Sequence, residues 1–70
     1  MERVPVGSSN IASIGYDANS ETLEIEFLNG SIYEYYGVPA HTHQELMNAG
    51  SHGSYLSANI KNAYPYARTQ

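Results

Sequence analysis

The side chains of this chain that could do chemistry are three histidines and a cluster of hydroxyls, and their spacing decides what that chemistry could be. His41 and His43 stand two positions apart, whereas two imidazoles that share a metal ion from one helix face stand four apart. They read as solvated side chains near a helix start. Ser51-His52-Gly53-Ser54 sets a hydroxyl beside an imidazole, but adjacent residues rarely meet in hydrogen-bonding geometry and no third group follows at a useful spacing. A small hydrolase using Ser51 and His52 is the weakest reading. Gly50-x-x-Gly53 has the spacing of a phosphate-clamping glycine loop ahead of a helix N-terminus, yet two glycines read more simply as a tight interhelical turn capped by Ser51. The chain has no cysteine, which excludes disulfides, thiol nucleophiles and cysteine-based zinc sites. No catalytic constellation assembles, so the chain is expected to be no enzyme and to need no cofactor or metal.

Aromatic side chains are the better candidates. There are seven tyrosines against one phenylalanine and no tryptophan. Exposed rings stack on nucleobases for about 1 to 3 kcal/mol per base, but a chain this short also needs such rings as core. Core packing is the expected role of Tyr16, Tyr33, Tyr35 and Tyr55. Tyr36, Tyr64 and Tyr66 are left for a partner, and Tyr64-Pro65-Tyr66 with Lys61 and Arg68 combines rings, cations and a bent backbone. Seven acidic residues against Arg3, Lys61 and Arg68 give a formal charge of -4, which excludes a long basic stripe for nucleic acid. No cationic leader runs into an apolar segment, and no apolar stretch approaches about 18 residues. The chain therefore reads as soluble and cytoplasmic, with no membrane partner and with its oligomeric state open.

A small fold must position these groups. Seventy residues make one domain, 1–70, with residues 1–7 expected to be frayed. Surface scaling gives a folded area of roughly 4,300 Å² and about 60% of the surface buried, a thin core. From Ile11 to Asp17, Ala12, Ile14 and Tyr16 alternate with Ile11, Ser13 and Gly15, as a first strand would. Asp17-Ala18-Asn19-Ser20 is turn chemistry. Leu23, Ile25 and Phe27 alternate with Thr22, Glu24 and Glu26, a half-buried antiparallel strand. Asn29-Gly30 then signals a hairpin into Ser31–Tyr36. A two-residue loop would turn Tyr33 and Tyr35 to solvent; a three-residue loop with Gly30 left-handed would put them beside Ile25 and Leu23. Burial of large rings favours the second. Gly37-Val38-Pro39 ends the sheet. Thr42-x-x-Glu45 has capping-box spacing for a short helix with Leu46, Met47 and Ala49 buried, and Gly50 suits a left-handed C-terminal position. Ser51 caps a second helix carrying Tyr55, Leu56, Asn59, Ile60, Ala63 and Tyr64, stopped by Pro65. The expected class is α+β: a three-stranded antiparallel meander followed by two short helices on one face.

Tyr16-Asp17, Leu23 to Phe27, Asn29-Gly30, Tyr33-x-Tyr35, Gly37-Val38-Pro39, Ala49-x-Ser51-x-Gly53-x-Tyr55 and Ile60-Lys61, in this order, resemble the KTSC domain. That family is a module of about this length, found at the C-terminus of some lysyl-tRNA synthetases and as small free-standing bacterial or phage proteins. The resemblance implies that Tyr33 and Tyr35 are the family signature, with Gly37, Pro39, Ser51, Gly53 and Tyr55 as structural positions. It assigns no activity, and the synthetase context suggests RNA binding. The expectation is a non-enzymatic binding module for a protein or peptide, with Tyr36, Lys61, Tyr64, Tyr66 and Arg68 at the contact. The alternative is an RNA accessory module using exposed tyrosines with Lys61 and Arg68.

Overall fold

The alternation that marks the hairpin is realised in a five-stranded antiparallel sheet, seen in a computed structural model that describes residues 1–70. The strands are β1 (Arg3–Pro5), β2 (Ile11–Asp17), β3 (Thr22–Phe27), β4 (Ile32–Tyr35) and β5 (Tyr66–Arg68), hydrogen-bonded in chain order. Between β4 and β5 lie α1 (Ala40–Asn48) and α2 (His52–Asn59). The class is α+β with two helices on one face, but the meander has five strands where three are expected. The two added strands are three residues long. Such segments carry no alternation of their own and form by extending a ladder that is already there.

Strand β1 places Arg3–Pro5 of the N-terminal segment in the sheet. Arg3 pairs with Gly15 of β2, and a Cβ at Gly15 would lie 2.9 Å from the Glu2 carbonyl oxygen and 3.0 Å from Arg3 Cγ. Glycine is what lets the segment lie down there. Arg3 then reaches over the solvent face of the sheet to Glu24, at 2.8 Å, and to Ser13 Oγ, at 3.1 Å.

Ile14, Leu23, Ile25 and Tyr35 face the helices and join Val38, Leu46, Leu56 and Ile60 in one core. Ile11 joins them too, although alternation puts it on the opposite side from Ile14. A register shift between Ile11 and Ser13 adds a residue to β2 and turns Ile11 inward, where it is fully buried. Thr22, expected toward water, is buried as well and accepts a hydrogen bond from Ser20. In the β2–β3 turn the left-handed residue is Glu21, with φ 52°, and its carbonyl accepts from the Val38 amide.

The β3–β4 hairpin takes the three-residue loop. Gly30 has φ 92°, the Phe27 amide donates to the Ser31 carbonyl, and Tyr33 and Tyr35 pair with Ile25 and Leu23. Both tyrosines therefore lie on the helix side. The helix ends depart further from expectation. Helix α1 starts at Ala40, so Thr42 is buried in its first turn and caps nothing; Pro39 precedes it with no side-chain cap. It ends at Ala49 in an extended conformation, with no left-handed Gly50. Ser51 does cap α2, its Oγ accepting from the Ser54 amide at 3.2 Å. That helix stops at Asn59, short of Tyr64, because the Lys61 amide bonds back to Leu56 and the chain unwinds into turns.

Candidate functional site

A cleft of about 330 Å³ opens where α2 and the turn after it stop short of covering the sheet. Its floor follows from period-two alternation on β3, β4 and β5, which aims Phe27, Tyr33, Tyr35 and Tyr66 at the same side. Leu56, Ser57, Lys61 and Asn62 form the helical wall, and Asn10, Asn29 and Ser31 close the end nearest the hairpin loop. The rings form one connected set. Phe27 meets Tyr33 edge-on at 5.6 Å, and Tyr66 tilts against Tyr33 at 5.8 Å and against Tyr35 at 5.7 Å. Burial grades steeply across them, from 3% exposure at Tyr35 to 57% at Tyr66. Desolvation, and to a lesser degree the neighbouring Tyr33 and Tyr66, push the Tyr35 hydroxyl above its ordinary pKa.

Charge is distributed unevenly about this cleft. Of the three cations, Arg3 is bonded to Glu24 and lies 3.9 Å from Glu26 on the other face of the sheet. The Glu24 carboxylate holds the Arg3 guanidinium pKa above its usual value. Lys61 and Arg68 have no Asp or Glu side chain within ion-pair distance. Lys61 lines the cleft, and Arg68 pairs with Tyr33 on the cleft side of β5, its Nε donating to the Gln70 carbonyl at 3.0 Å. The two cations without an Asp or Glu partner thus lie on the helix side of the sheet, Lys61 in the cleft lining and Arg68 on the strand that carries Tyr66.

The remaining candidates are dispersed. Tyr36 lies on the solvent face, donating to Glu34 at 3.1 Å, a bond that raises its pKa. Tyr64 packs half-buried against the core. Gly37 has φ 75°, a conformation that favours glycine, and Gly53 admits the Asn10 side chain, which a Cβ there would strike. Tyr55 ties the helices together by donating to Glu45 at 2.6 Å; this bond pushes its hydroxyl up to about 12. His52 Nδ1 lies 2.8 Å from the Leu46 carbonyl and Ser51 Oγ bonds Ser54, so the two residues serve helix ends rather than each other. His41 is exposed, as expected, but His43 is half-buried. It stacks on Tyr16 at 4.5 Å, nearly parallel, and burial lowers its pKa. No group of three or more His, Asp or Glu side chains is placed to hold a metal ion. No helix is long and apolar enough to cross a membrane.

Of the candidate contact residues taken from the sequence, Lys61 and Tyr66 line this cleft, whereas Phe27, Asn10, Asn29, Ser57 and Asn62 line it without having been singled out. Asn10 and Asn29 meet through the β2–β3 ladder, the Leu28 amide donating to the Asn10 carbonyl, and α2 with the turn after it adds Ser57 and Asn62.

Comparison with known proteins places the chain among relatives of both small and large size. The model of the KTSC domain matches residues 7–64. An uncharacterized protein of Stutzerimonas stutzeri is 39% identical over 61 residues, covering 87% of this chain and 86% of that protein. A lysine–tRNA ligase of Nostoc sp. is 44% identical over 62 residues, 89% of this chain but 11% of the ligase. The crystal structure of a KTSC domain protein from Yersinia pestis superimposes with a TM-score of 0.93 at 41% identity, covering 99% of this chain and 97% of the other.

Proposed function

The chain belongs to the KTSC domain family, and from that membership we propose that it is a binding module whose contact surface is the aromatic cleft and whose ligand is an extended polypeptide segment. The observation that carries this reading is the coincidence of exposed ring and unpaired charge. Tyr66 is more than half exposed although it is held by Tyr33 and Tyr35, and Lys61 and Arg68 flank it. Preordered aromatic rings contribute contact area at small entropic cost, and the asparagine and serine groups around them match the donors and acceptors of a peptide backbone. A polypeptide fits better than a phosphate chain because two free cations on a molecule of charge -4 neutralise few phosphates.

Selection of random displayed peptides of roughly ten residues on the immobilised protein tests the reading. Enrichment on the wild type and its loss on Tyr66→Ala or Lys61→Glu is the expected result. Equal enrichment on all three would place the contact elsewhere.

A second reading, an RNA accessory module, is supported by the kinship with lysine–tRNA ligases. Rings with Lys61 and Arg68 could stack and neutralise a short single strand. Titration with labelled single-stranded RNA at low and at moderate salt decides it: binding weakened by Tyr66→Ala supports RNA, and no binding at either salt removes it.

A further inference from the structure

We infer that the partner segment binds by adding a sixth, antiparallel strand to β5, with an acidic residue opposite Arg68 and an apolar or aromatic one opposite Tyr66. This rests on the cleft being a peptide site and specifies how the peptide is held. The hydrogen-bond pattern of the sheet carries the first part. The Tyr36 amide donates to the Pro65 carbonyl and Ala67 sits opposite Glu34 in the same phase, so within β5 it is Ala67 that bonds to β4; past β5 the Thr69 amide donates to the Ile32 carbonyl while the Ile32 amide donates to the Gln70 oxygen, a slip of one residue. Successive residues of a strand point their backbone groups to opposite sides. The N–H and C=O of Tyr66 and of Arg68 therefore point away from the sheet, into solvent. They make a short unpaired edge, and nothing in the chain covers it.

Side-chain direction carries the second part. Tyr66 and Arg68 pair with Tyr35 and Tyr33, which face the cleft, while Ala67 between them faces the solvent side. An added strand inherits this alternation, so its residues opposite Tyr66 and Arg68 also project on the cleft side, with Cβ atoms about 5 Å from theirs. A carboxylate opposite Arg68 would meet a guanidinium that pairs with no Asp or Glu side chain and of which only Nε is engaged, by the Gln70 main-chain oxygen. Two residues further along the incoming strand, an apolar side chain lies against the exposed face of Tyr66 and can reach the cleft floor. The motif read this way is acidic, any residue, then aromatic or large aliphatic. Charge supports the choice of an acidic segment over a second copy of the chain: two copies of a molecule of charge -4 would repel, and each would bring a cation, Arg68, to the shared edge.

A proline placed at position 68 removes an outward N–H while leaving the bonds to β4 intact, whereas alanine there removes the side chain and keeps the N–H. For peptides enriched on the wild type, Arg68→Pro is expected to weaken binding by at least about tenfold beyond Arg68→Ala. N-methylation of the peptide amides that meet the edge is expected to do the same, and binding is expected to slow exchange of the Tyr66 and Arg68 amide protons. Peptides that lose affinity with Tyr66→Ala but tolerate N-methylation and Arg68→Pro would overturn strand addition and leave the cleft reading standing. No enrichment at all would overturn both. Dimerisation of the chain that is abolished by Arg68→Pro would give the edge to a second copy instead. Circular dichroism of Arg68→Pro, with Tyr35-to-Tyr66 contacts followed by NMR, separates lost binding from lost fold.

Discussion

Strand β1 ends the sheet with Pro5, while β5 ends it with Tyr66 and Arg68, and the backbone groups at the two margins differ accordingly. The Val6 amide bonds to Ala12, so alternation turns Arg3 and Pro5 outward on β1, and one of those two residues has no N–H to offer. The Arg3 side chain is drawn back over the sheet to Glu24 and Glu26. On β5 the outward residues both have an N–H, one carries a guanidinium that pairs with no Asp or Glu side chain and the other a ring that is 57% exposed. Closed edges prevent association with other strands, and one edge left open beside an aromatic cleft is what a strand-accepting site needs. Under the proposed reading, the β5 margin serves as a contact by lacking the protection that its counterpart has.

The largest effect is expected where the open margin meets the core. Tyr35 is 3% exposed and supports Tyr66 from below, so Tyr35→Ala should remove about 3 kcal/mol of stability and loosen β5 with it. Urea denaturation checks the first part, and loss of peptide capture in the still-folded fraction checks the second. Next is the closed margin. Gly15→Val drives a side chain into the Glu2 carbonyl and Arg3, so β1 should detach at a cost of about 2 kcal/mol. The comparison would be sharpened if this variant kept its peptide binding but began to self-associate through β2, measured by sedimentation. Unchanged stability and hydrodynamics would show that β1 protects nothing. Smaller again is Tyr66→Ala, which gives up two tilted ring contacts and about 1 kcal/mol, while peptide capture falls far more than stability.

How much of this was readable in the sequence follows from how far each signal reaches along the chain. Leu23, Ile25 and Phe27 announce β3 because six residues hold three repeats of the strand period. Tyr33 and Tyr35 could be placed inward because Gly30 can take a positive φ and the rings were needed as core. At the margins the signal is too short: Arg3–Pro5 and Tyr66–Arg68 each contain a single alternation, and what makes them strands is the partner ladder. Ile11 was misplaced because one inserted residue reverses the face of everything before it. At the site, Tyr66, Lys61 and Arg68 stood out by type within one short segment. The amides of Asn10, Asn29 and Asn62 did not, since Asn10 and Asn29 meet only through the β2–β3 ladder and Asn62 joins them only where α2 unwinds, which the Lys61–Leu56 backbone bond sets rather than a residue-type signal.

The smallest effect concerns acid, and it should fall on the β2–α1 side of the molecule, away from β5. His43 lies flat on Tyr16, whose hydroxyl donates to the Val38 carbonyl and so joins β2 to the segment leading into α1. Burial disfavours the imidazolium, so the folded protein holds this proton more weakly than the unfolded chain does at its ordinary pKa of 6.5. Stability from the neutral ring is thus complete above that value, is lost as the pH falls through it, and levels off below the depressed pKa of the folded state. Urea midpoints compared between about pH 7.5 and about pH 5.5 should fall in the wild type by more than in His43→Gln, which cannot take up the proton. Over the same range the NMR contacts between Tyr66 and Tyr33 should not change, because no titrating histidine touches the cleft rings. If acid released Tyr66 before it weakened the Tyr16 contact, the two sides would share one cooperative unit, and the open margin could not be treated as a separate device.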